Sequence, residues 1–200
     1  SGPNSGDSDT CTEAQLLYGI KKHNLARELN GLLLKVTDGC NFCCSYCIDS
    51  ACDTAHESGA MKRPIALKVV ELFLDFCTRR GQVGTDGVSI GFNGGEPLLN
   101  CNIISDVVNY VHTKHPHVQV DFDINTNLAL LTPDIAEFLK DNHFSITTSL
   151  DGFKSMNDIQ RRSRDSGESP FEATTRGIRM LRDMGCSPPP AVIIVINEHN

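Results

Sequence analysis

The stretch LLLKVTDGCNFCCSYC, residues 32–47, joins a short apolar run to four closely spaced cysteines. The apolar run at residues 32–36 predicts a buried β-strand. The cysteines follow at the end of that strand, which is where parallel α/β folds carry their chemistry. We therefore expect this stretch to begin the sheet and to hold the functional site.

The rest of the chain repeats a pattern of strands and helices. Further apolar runs predict four more buried strands, at residues 88–92, 118–124, 144–150 and 191–196. Apolar residues recur at helical spacing in two intervening segments: Ile65, Val69, Leu72, Phe73 and Phe76, then Ile103, Ile104, Val107, Val108 and Val111. Thr132-Pro133 and Ser169-Pro170 predict the starts of two more helices, because each pairs an N-cap residue with proline at the first helical position. Gly185 closes the second of them.

This alternation predicts the α/β class, built from right-handed βαβ units. Such units close into a full or partial barrel or open as a doubly wound sheet, and the pattern fits both. The sequence stops just past the fifth predicted strand, so we expect a barrel that is truncated within a longer protein. Residues 1–30 are predicted to be a flexible polar leader with a helical segment, and residues 31–200 a single core domain.

Composition narrows the class of protein. The formal net charge is −7, with 18 Lys and Arg against 25 Asp and Glu, which argues against a nucleic-acid partner. No apolar stretch approaches the roughly 20 residues of a membrane span, and the first ten residues are unlike a signal peptide. We therefore predict a cytoplasmic protein without a membrane partner. Four of the nine cysteines lie within eight residues, which favours metal binding in a reducing compartment over a disulfide scaffold.

The cysteine segment permits two ligand sets. Cys40 and Cys43 with Cys44 and Cys47 would form two adjacent CxxC pairs for a zinc ion, but they leave little chain to wrap a tetrahedral site. In the Cys-x3-Cys-x2-Cys frame, Cys40, Cys44 and Cys47 supply three thiolates to a [4Fe–4S] cluster and leave one iron open. The second frame is favoured, and it makes Cys43 and the nearby Cys52 spectators.

The three-cysteine frame, with Tyr46 before its last cysteine, resembles the signature of the radical S-adenosylmethionine (SAM) superfamily. Gly94-Gly95-Glu96-Pro97 is similar to the superfamily's GGE segment, which receives the amino group of SAM. Thr148-Ser149-Leu150-Asp151-Gly152, with Asn157 and Arg161, resembles the fourth-strand segment of peptide-modifying members that carry a SPASM or twitch domain. The resemblance covers roughly residues 32–200.

The resemblance implies a fold and a set of site residues. The fold is a partial (β/α)6 TIM-like radical SAM barrel, truncated here after the fifth strand. Cys40, Cys44 and Cys47 become the metal ligands. The implied cofactor-binding residues are Tyr46, Asp49, Gly94, Gly95, Glu96, Asn127, Ser149 and Arg161. Among these, Asp49 replaces an aromatic residue beside the adenine, and Asn127 belongs to a TNG-like segment in which Leu128 replaces glycine.

Each of these motifs also has an ordinary structural interpretation. A GGEP segment alone is typical of a tight turn, and an isolated SLDG segment is typical of a turn after a strand. Arg161 belongs to a basic run with Arg162 and Arg164 that solvent could surround. Cys77, Cys101 and Cys186 are expected to be small packed side chains. His112, His115 and His117 are expected in a solvated loop away from the strand ends.

The implied activity is reductive cleavage of SAM at a [4Fe–4S] cluster to a 5′-deoxyadenosyl radical, which abstracts hydrogen from a peptide or protein side chain. The implied partners are that peptide and an external electron donor of the flavodoxin or ferredoxin type. Alternatives within the family are a sulfatase-maturase-like enzyme and a small-molecule enzyme. An alternative of another class is a non-catalytic structural module that binds zinc or an iron–sulfur cluster.

Overall fold

The computed structural model describes residues 29–48, 59–79, 87–164 and 167–197. Gly31–Asn200 groups as one compact unit, which is the one described below. The predicted leader therefore lies almost wholly outside the described residues, as do Asp49 and Cys52.

The described residues form strands and helices in regular alternation, with two short additional strands. The strands are β1 (Gly31–Thr37), β2 (Phe42–Cys44), β3 (Val88–Gly94), β4 (Val120–Asn125), β5 (Ser145–Ser149), β6 (Arg161–Ser163) and β7 (Ala191–Ile193). The helices are α1 (Arg63–Arg79), α2 (Cys101–Lys114), α3 (Pro133–Asp141), α4 (Lys154–Gln160) and α5 (Pro170–Asp183), and a 3-10 turn at Pro97–Asn100 precedes α2. Within the described ranges, no helix combines the length and the apolar character needed to cross a membrane.

Five strands form one parallel sheet in the order β1-β3-β4-β5-β7. Each strand lies beside the next one of the sheet along the chain, without the reversal of strand order that creates a doubly wound sheet. The alternative left open by the sequence is thereby decided in favour of a partial barrel. All five predicted strands are confirmed, with ends that differ by a few residues.

One face of the sheet packs against the helices and forms the core. Alternate residues of β3 and β4, among them Ile90, Phe92 and Phe122, are at most 3% exposed. The ring of Phe122 stacks on that of Phe144 at a centroid distance of 5.4 Å. The opposite, concave face is polar and partly open, and one row across it consists of Leu33, Gly91, Asp123 and Ser145.

The predicted helix starts are confirmed in detail. The hydroxyl of Thr132 accepts a hydrogen bond from the amide of Ile135, and that of Ser169 accepts one from the amide of Glu172. Gly185 has φ +72° just after α5, which suits a glycine at the end of a helix.

The predicted buried stripe of α1 is rotated from the observed one. The fully buried positions include Ala66, Val70 and Leu74, whereas Ile65 is 43% exposed. Apolar residues surround most of this helix, so periodicity alone did not identify the face that packs. The sequence pattern also missed β2, β6 and α4, which are short and lack an apolar period.

A close approach between α5 and the loop after β4 holds Leu128 in an unusual conformation. Leu128 has φ +61°, a value that residues other than glycine rarely adopt, and it is 1% exposed. A Cβ added to Gly177 would lie 2.6 Å from the Leu128 Cβ and 2.8 Å from its carbonyl oxygen. The missing side chain of Gly177 therefore makes room for Leu128.

Gly177→Ala should therefore destabilise the fold, although Gly to Ala in a helix interior normally stabilises by about 0.5–1 kcal/mol. We expect urea unfolding to report a loss of about 1–3 kcal/mol, because the new methyl group meets backbone that cannot move aside. Arg179→Ala, at an exposed position of the same helix, serves as the control. A Gly177→Ala protein that is more stable than the wild type would contradict this packing.

Candidate functional site

The cysteine segment is held by a small sheet of its own. β2 pairs antiparallel with β6, so that Cys44 lies opposite Arg161 although the two are far apart in sequence. The amide of Cys47 donates to the Cys44 carbonyl at 3.1 Å and closes a turn. The amide of Phe42 donates to Sγ of Cys40 at 3.4 Å. These contacts define the cysteine loop, residues 40–47.

The cysteine loop forms one wall of a cavity at the C-terminal ends of the parallel strands. Apart from Asp49, which lies outside the described residues, every residue that the sequence singled out as a ligand or cofactor contact lines this cavity. These residues are Cys40, Cys44, Tyr46, Cys47, Gly94, Gly95, Glu96, Asn127, Ser149 and Arg161. The structure therefore brings together residues from five separate segments of the chain.

The three cysteines of the frame form no disulfide and lie partly buried in this wall. Burial raises the pKa of the Cys40 thiol to about 12, while the Phe42 amide that donates to its sulfur acts in the opposite direction. Burial also raises the pKa of Cys44, and the Arg161 guanidinium opposes that shift. Since the thiolate is the form that binds metal, binding here displaces protons.

Two glycines let the end of β3 run directly against the segment just before the cysteine loop. The amide of Gly95 donates to the Thr37 carbonyl at 2.9 Å, and the amide of Glu96 donates to the Gly39 carbonyl at 2.8 Å. A Cβ on Gly95 would overlap the Gly39 carbonyl oxygen. Glycine at this position is therefore required for the two segments to touch, and the cavity edge there is bare backbone.

Glu96 lies behind that edge as a buried carboxylate. Its Oε1 accepts from the Thr126 hydroxyl at 2.6 Å and from the Leu98 amide at 3.1 Å, and its Oε2 accepts from the Asn127 amide at 2.8 Å. The residue is 1% exposed. Burial raises the pKa of Glu96 to about 7 despite these hydrogen bonds. The carboxylate thus links the end of β3 to the end of β4 and still faces the cavity.

Both the side chain and the backbone of Asn127 form hydrogen bonds within the protein. Its side-chain amide donates to Oδ1 of Asn41 at 2.8 Å, and its own Oδ1 accepts from the Ala129 amide at 2.9 Å. Its carbonyl accepts from the Thr174 hydroxyl at 2.9 Å. These hydrogen bonds connect the loop after β4 to the cysteine loop and to α5. Asn127 therefore braces these three segments against one another.

Asp151 organises the opposite side of the cavity, and the sequence identified it only as part of a motif. Its Oδ2 accepts from Nε of Arg161 at 2.9 Å and also from the hydroxyl of Tyr46, and its Oδ1 accepts from the amide of Val195 at 3.0 Å. Asp151 is 0% exposed and Arg161 is 7% exposed. The Arg161 guanidinium carbon lies 5.6 Å from the centroid of the Tyr46 ring. Arg161 is therefore a buried cation and not a solvated one.

The structure adds four cavity residues that the sequence did not select as site residues: Phe42, Asn93, Asn125 and Thr126. Asn93 and Asn125 line the cavity from β3 and β4. The available signal was the period of two in a strand, because Asn93 and Asn125 fall on the concave face together with Gly91 and Asp123. Asp123 lies deeper on that face, where burial raises the pKa of its carboxyl, and the structure shows no hydrogen bond or ion pair to it from the described residues.

The remaining cysteines and histidines lie elsewhere. Cys43 is disulfide-bonded and does not line the cavity, whereas Cys77 is fully buried inside α1. Cys101 and Cys186 are partly buried, and they too are not among the cavity residues. The loop prediction is wrong for His112, which lies within α2 and packs edge-on against Phe122.

The three cysteines of the frame supply thiol donors to one cavity. In the parts of the chain that the structure describes, no group of three or more His, Cys, Asp or Glu side chains is placed to hold one metal ion. In a [4Fe–4S] cluster each thiolate binds a different iron, so its ligands need not converge on one point. The bare glycine edge beside them leaves room for an additional ligand.

Comparison with known proteins identifies a family match over most of the chain. The sequence profile of the radical SAM superfamily matches residues 34–200. The radical SAM cyclopropyl synthase TigE of Paramaledivibacter caminithermalis is 26% identical, over 82% of this chain and 35% of its own length. A cysteine-type anaerobic sulfatase-maturating enzyme of Clostridium novyi is 27% identical over 68% and 36%. The GTP 3′,8-cyclase of Clostridium acetobutylicum is 31% identical over 68% and 38%. The chain thus spans little more than a third of these relatives.

Solved structures share the fold. The native anSMEcpe structure with bound AdoMet and Cp18Cys peptide has a TM-score of 0.67 at 21% identity, covering 83% of this chain and 42% of that one. Streptococcus suis SuiB bound to its precursor peptide SuiA has a TM-score of 0.62 at 15% identity, covering 99% and 42%. These structures contain a barrel into which the partial barrel of this chain fits.

The raised pKa of Glu96 predicts how stability depends on pH. The folded protein keeps this carboxyl protonated up to about pH 7, whereas the ordinary value is 4.5. The stability contribution of Glu96 is therefore present below about pH 4.5 and is lost as the pH rises through 7, by up to about 3 kcal/mol. Glu96→Gln cannot ionise and should lack this loss.

The measurement is urea unfolding of wild type and Glu96→Gln between pH 4.5 and 7.5. We expect Glu96→Gln to be less stable than the wild type at low pH, because the glutamine amide would place an N–H donor against the N–H of Asn127. The difference in unfolding free energy between the two proteins should shrink as the pH rises, because only the wild type loses stability. Glu137→Gln on the exposed face of α3 is the matched control. A difference between wild type and Glu96→Gln that stays constant over this range would refute the assignment.

Proposed function

The chain belongs to the radical SAM superfamily, and from this we propose that it holds a [4Fe–4S] cluster on Cys40, Cys44 and Cys47. The single observation that carries the proposal is that three thiols in the superfamily frame, none of them in a disulfide, open into the same cavity as Glu96, Ser149 and Arg161. When bound, the cluster supplies the electron that cleaves SAM to methionine and a 5′-deoxyadenosyl radical. Residues 31–200 are proposed to be the core domain that carries this site.

The protein's own residues bind and orient SAM in this proposal. Oε2 of Glu96 accepts one hydrogen bond from the described residues, so it can accept another from the SAM ammonium, whose charge favours the ionised carboxylate. The bare backbone at Gly94 and Gly95 lets the methionine part of SAM approach closely. Ser149 ends β5 at the cavity and is a hydrogen-bonding contact for SAM.

Arg161 is the proposed partner of the SAM carboxylate. Its Nε is engaged by Asp151, and its two terminal nitrogens have no hydrogen bond to the described residues. A buried guanidinium with two free, parallel donors suits a carboxylate that binds both of them. Tyr46, Asp49 and Asn127 complete the proposed cofactor site, with Asn127 acting mainly through the loop that it braces.

A peptide or protein side chain is the proposed substrate. The anSMEcpe and SuiB structures, which share this fold, contain bound peptides. In this chain the concave face continues from the cavity along β3 and β4. Asp123, which has no hydrogen bond from the described residues, can accept from a peptide amide or amine there, and Leu33 beside it is 65% exposed. Mixed polar and apolar groups on an open face suit an extended chain. An external flavodoxin- or ferredoxin-type donor is the proposed electron source.

A small-molecule substrate is the second candidate. The observation that favours it is the likeness to a GTP 3′,8-cyclase, which has the highest sequence identity among the three relatives compared above. Both candidates use the same cluster and the same SAM site, so they differ only in what lies on the concave face.

Anaerobic reconstitution with iron and sulfide tests the cluster. We expect about four Fe per chain, and dithionite-dependent formation of 5′-deoxyadenosine from SAM. Cys40→Ala should lose both the full iron content and the nucleoside, whereas Cys186→Ser, outside the cavity, should keep them. Stoichiometric zinc with no nucleoside would instead support a non-catalytic structural module.

A substrate assay separates the two candidates. The reconstituted protein is incubated with SAM and reductant, either with peptides encoded beside its gene or with GTP. We expect a peptide to accelerate 5′-deoxyadenosine formation and to lose hydrogen, as seen by mass spectrometry. Acceleration by GTP, with a new GTP-derived product and no change in any peptide, would favour the small-molecule candidate.

A further inference from the structure

Three separate parts of the chain meet at one buried carboxylate. Asp151 receives the Tyr46 hydroxyl from the cysteine loop, Nε of Arg161 from the start of β6, and the amide of Val195 from the segment after β7. Its own amide donates to Oδ1 of Asn157 at 3.0 Å, which fixes the turn that carries it. A fully buried carboxylate is tolerated only when it is hydrogen-bonded or paired, so each donor is held where Asp151 requires it.

By accepting from Nε of Arg161, Asp151 also determines which edge of the guanidinium remains available to bind another group. The bond from Nε to Oδ2 is 2.9 Å long, and the side chains of Arg161 and Asp151 are 8% and 0% exposed. With Nε occupied, the donors left without a partner in the described residues are those of the two terminal nitrogens. These two nitrogens form one of the edges through which a guanidinium binds a carboxylate in a bidentate manner.

The same ion pair lies next to a cluster ligand. Arg161 is directly opposite Cys44 in the β2–β6 ladder. The ring of Tyr46, three residues before Asp49 and one before Cys47, lies against the guanidinium. A positive and a negative charge, both on buried side chains, are therefore fixed beside Cys44. Net charge and hydrogen bonding near the sulfurs set the reduction potential of iron–sulfur clusters.

We propose that Asp151 is a positioning residue that orients Arg161 toward the SAM carboxylate and balances its charge beside the cluster, while its bond to Tyr46 holds the cysteine loop to the same point. This inference rests on the proposed function, because it requires a cluster on the three cysteines and SAM in the cavity. It assigns Asp151 no contact with SAM.

The two members of the pair should shift the cluster potential in opposite directions. Asp151→Asn removes a negative charge and should raise the potential, whereas Arg161→Gln removes a positive charge and should lower it. A merely structural role for the pair would give no such opposition. Arg162→Gln is the matched control, since this exposed neighbour carries the same charge and lies one residue further along β6. Its potential should stay close to that of the wild type.

SAM affinity provides the second readout. Each of Asp151→Asn and Arg161→Gln should weaken SAM binding by roughly tenfold or more, as expected for a lost or misdirected charged hydrogen bond. The double variant should bind SAM no more weakly than Arg161→Gln alone, because Asp151 acts through Arg161. Arg161→Lys should keep the potential near the wild-type value and leave SAM binding weak, because lysine restores the charge without the planar fork.

The experiment uses anaerobically reconstituted protein, with EPR-monitored redox titration in the absence of SAM and equilibrium binding of SAM. If Asp151→Asn fails to fold, Arg161→Gln, Arg161→Lys and Tyr46→Phe carry the test, and Tyr46→Phe should lose iron faster than wild type. Potentials that shift in the same direction, or additive losses of SAM affinity, would overturn the positioning role. A wild-type protein that binds no cluster or no SAM would overturn the proposed function itself.

Discussion

The carboxylate of Glu96 joins the ends of two neighbouring strands through hydrogen bonds to Thr126, Asn127 and Leu98. The segments it joins are rich in glycine and asparagine and have few side chains that could pack. Backbone contact alone brings Gly95 against Gly39. A buried carboxylate that lost its donors would cost several kcal/mol, so the loops keep the donors in place. The open edge of the sheet gains its rigidity from a polar group and not from an apolar core.

Asp151 repeats this arrangement at the other end of the cavity. There the carboxylate collects donors from the cysteine loop, β6 and the segment after β7. Glu96 has no basic side chain among its donors, whereas Asp151 has Arg161, so one end of the cavity holds a carboxyl of raised pKa and the other a buried cation. The amino acid part of SAM carries an ammonium, which suits the carboxyl of Glu96, and a carboxylate, which suits the guanidinium of Arg161.

Much of this architecture is readable from the sequence, and the failures have physical causes. Apolar runs identified the five strands of the main sheet, and Thr132 and Ser169 identified helix starts through their caps. β2 and β6 were not predicted, because each is three residues long and forms only by pairing with a distant segment. α4 was not predicted, because it has no apolar stripe that packs against the core: Met156 and Ile159 remain 37% and 54% exposed. Motif spacing identified residues of the cavity, but only the folded chain reveals that Asp151 and Arg161 are buried together.

The pairing of β2 with β6 has a consequence for the order of events during synthesis. Phe42 and Ser163 are partners, and so are Cys44 and Arg161, which means that the cysteine loop is completed by residues made well over a hundred positions later. At roughly 5–20 residues per second, a ribosome needs on the order of ten seconds to bridge that interval. Throughout it the cysteines have emerged while the strand opposite them does not yet exist. Loading of the proposed cluster into a finished site would therefore be a late step, and the thiols would have to stay reduced until then.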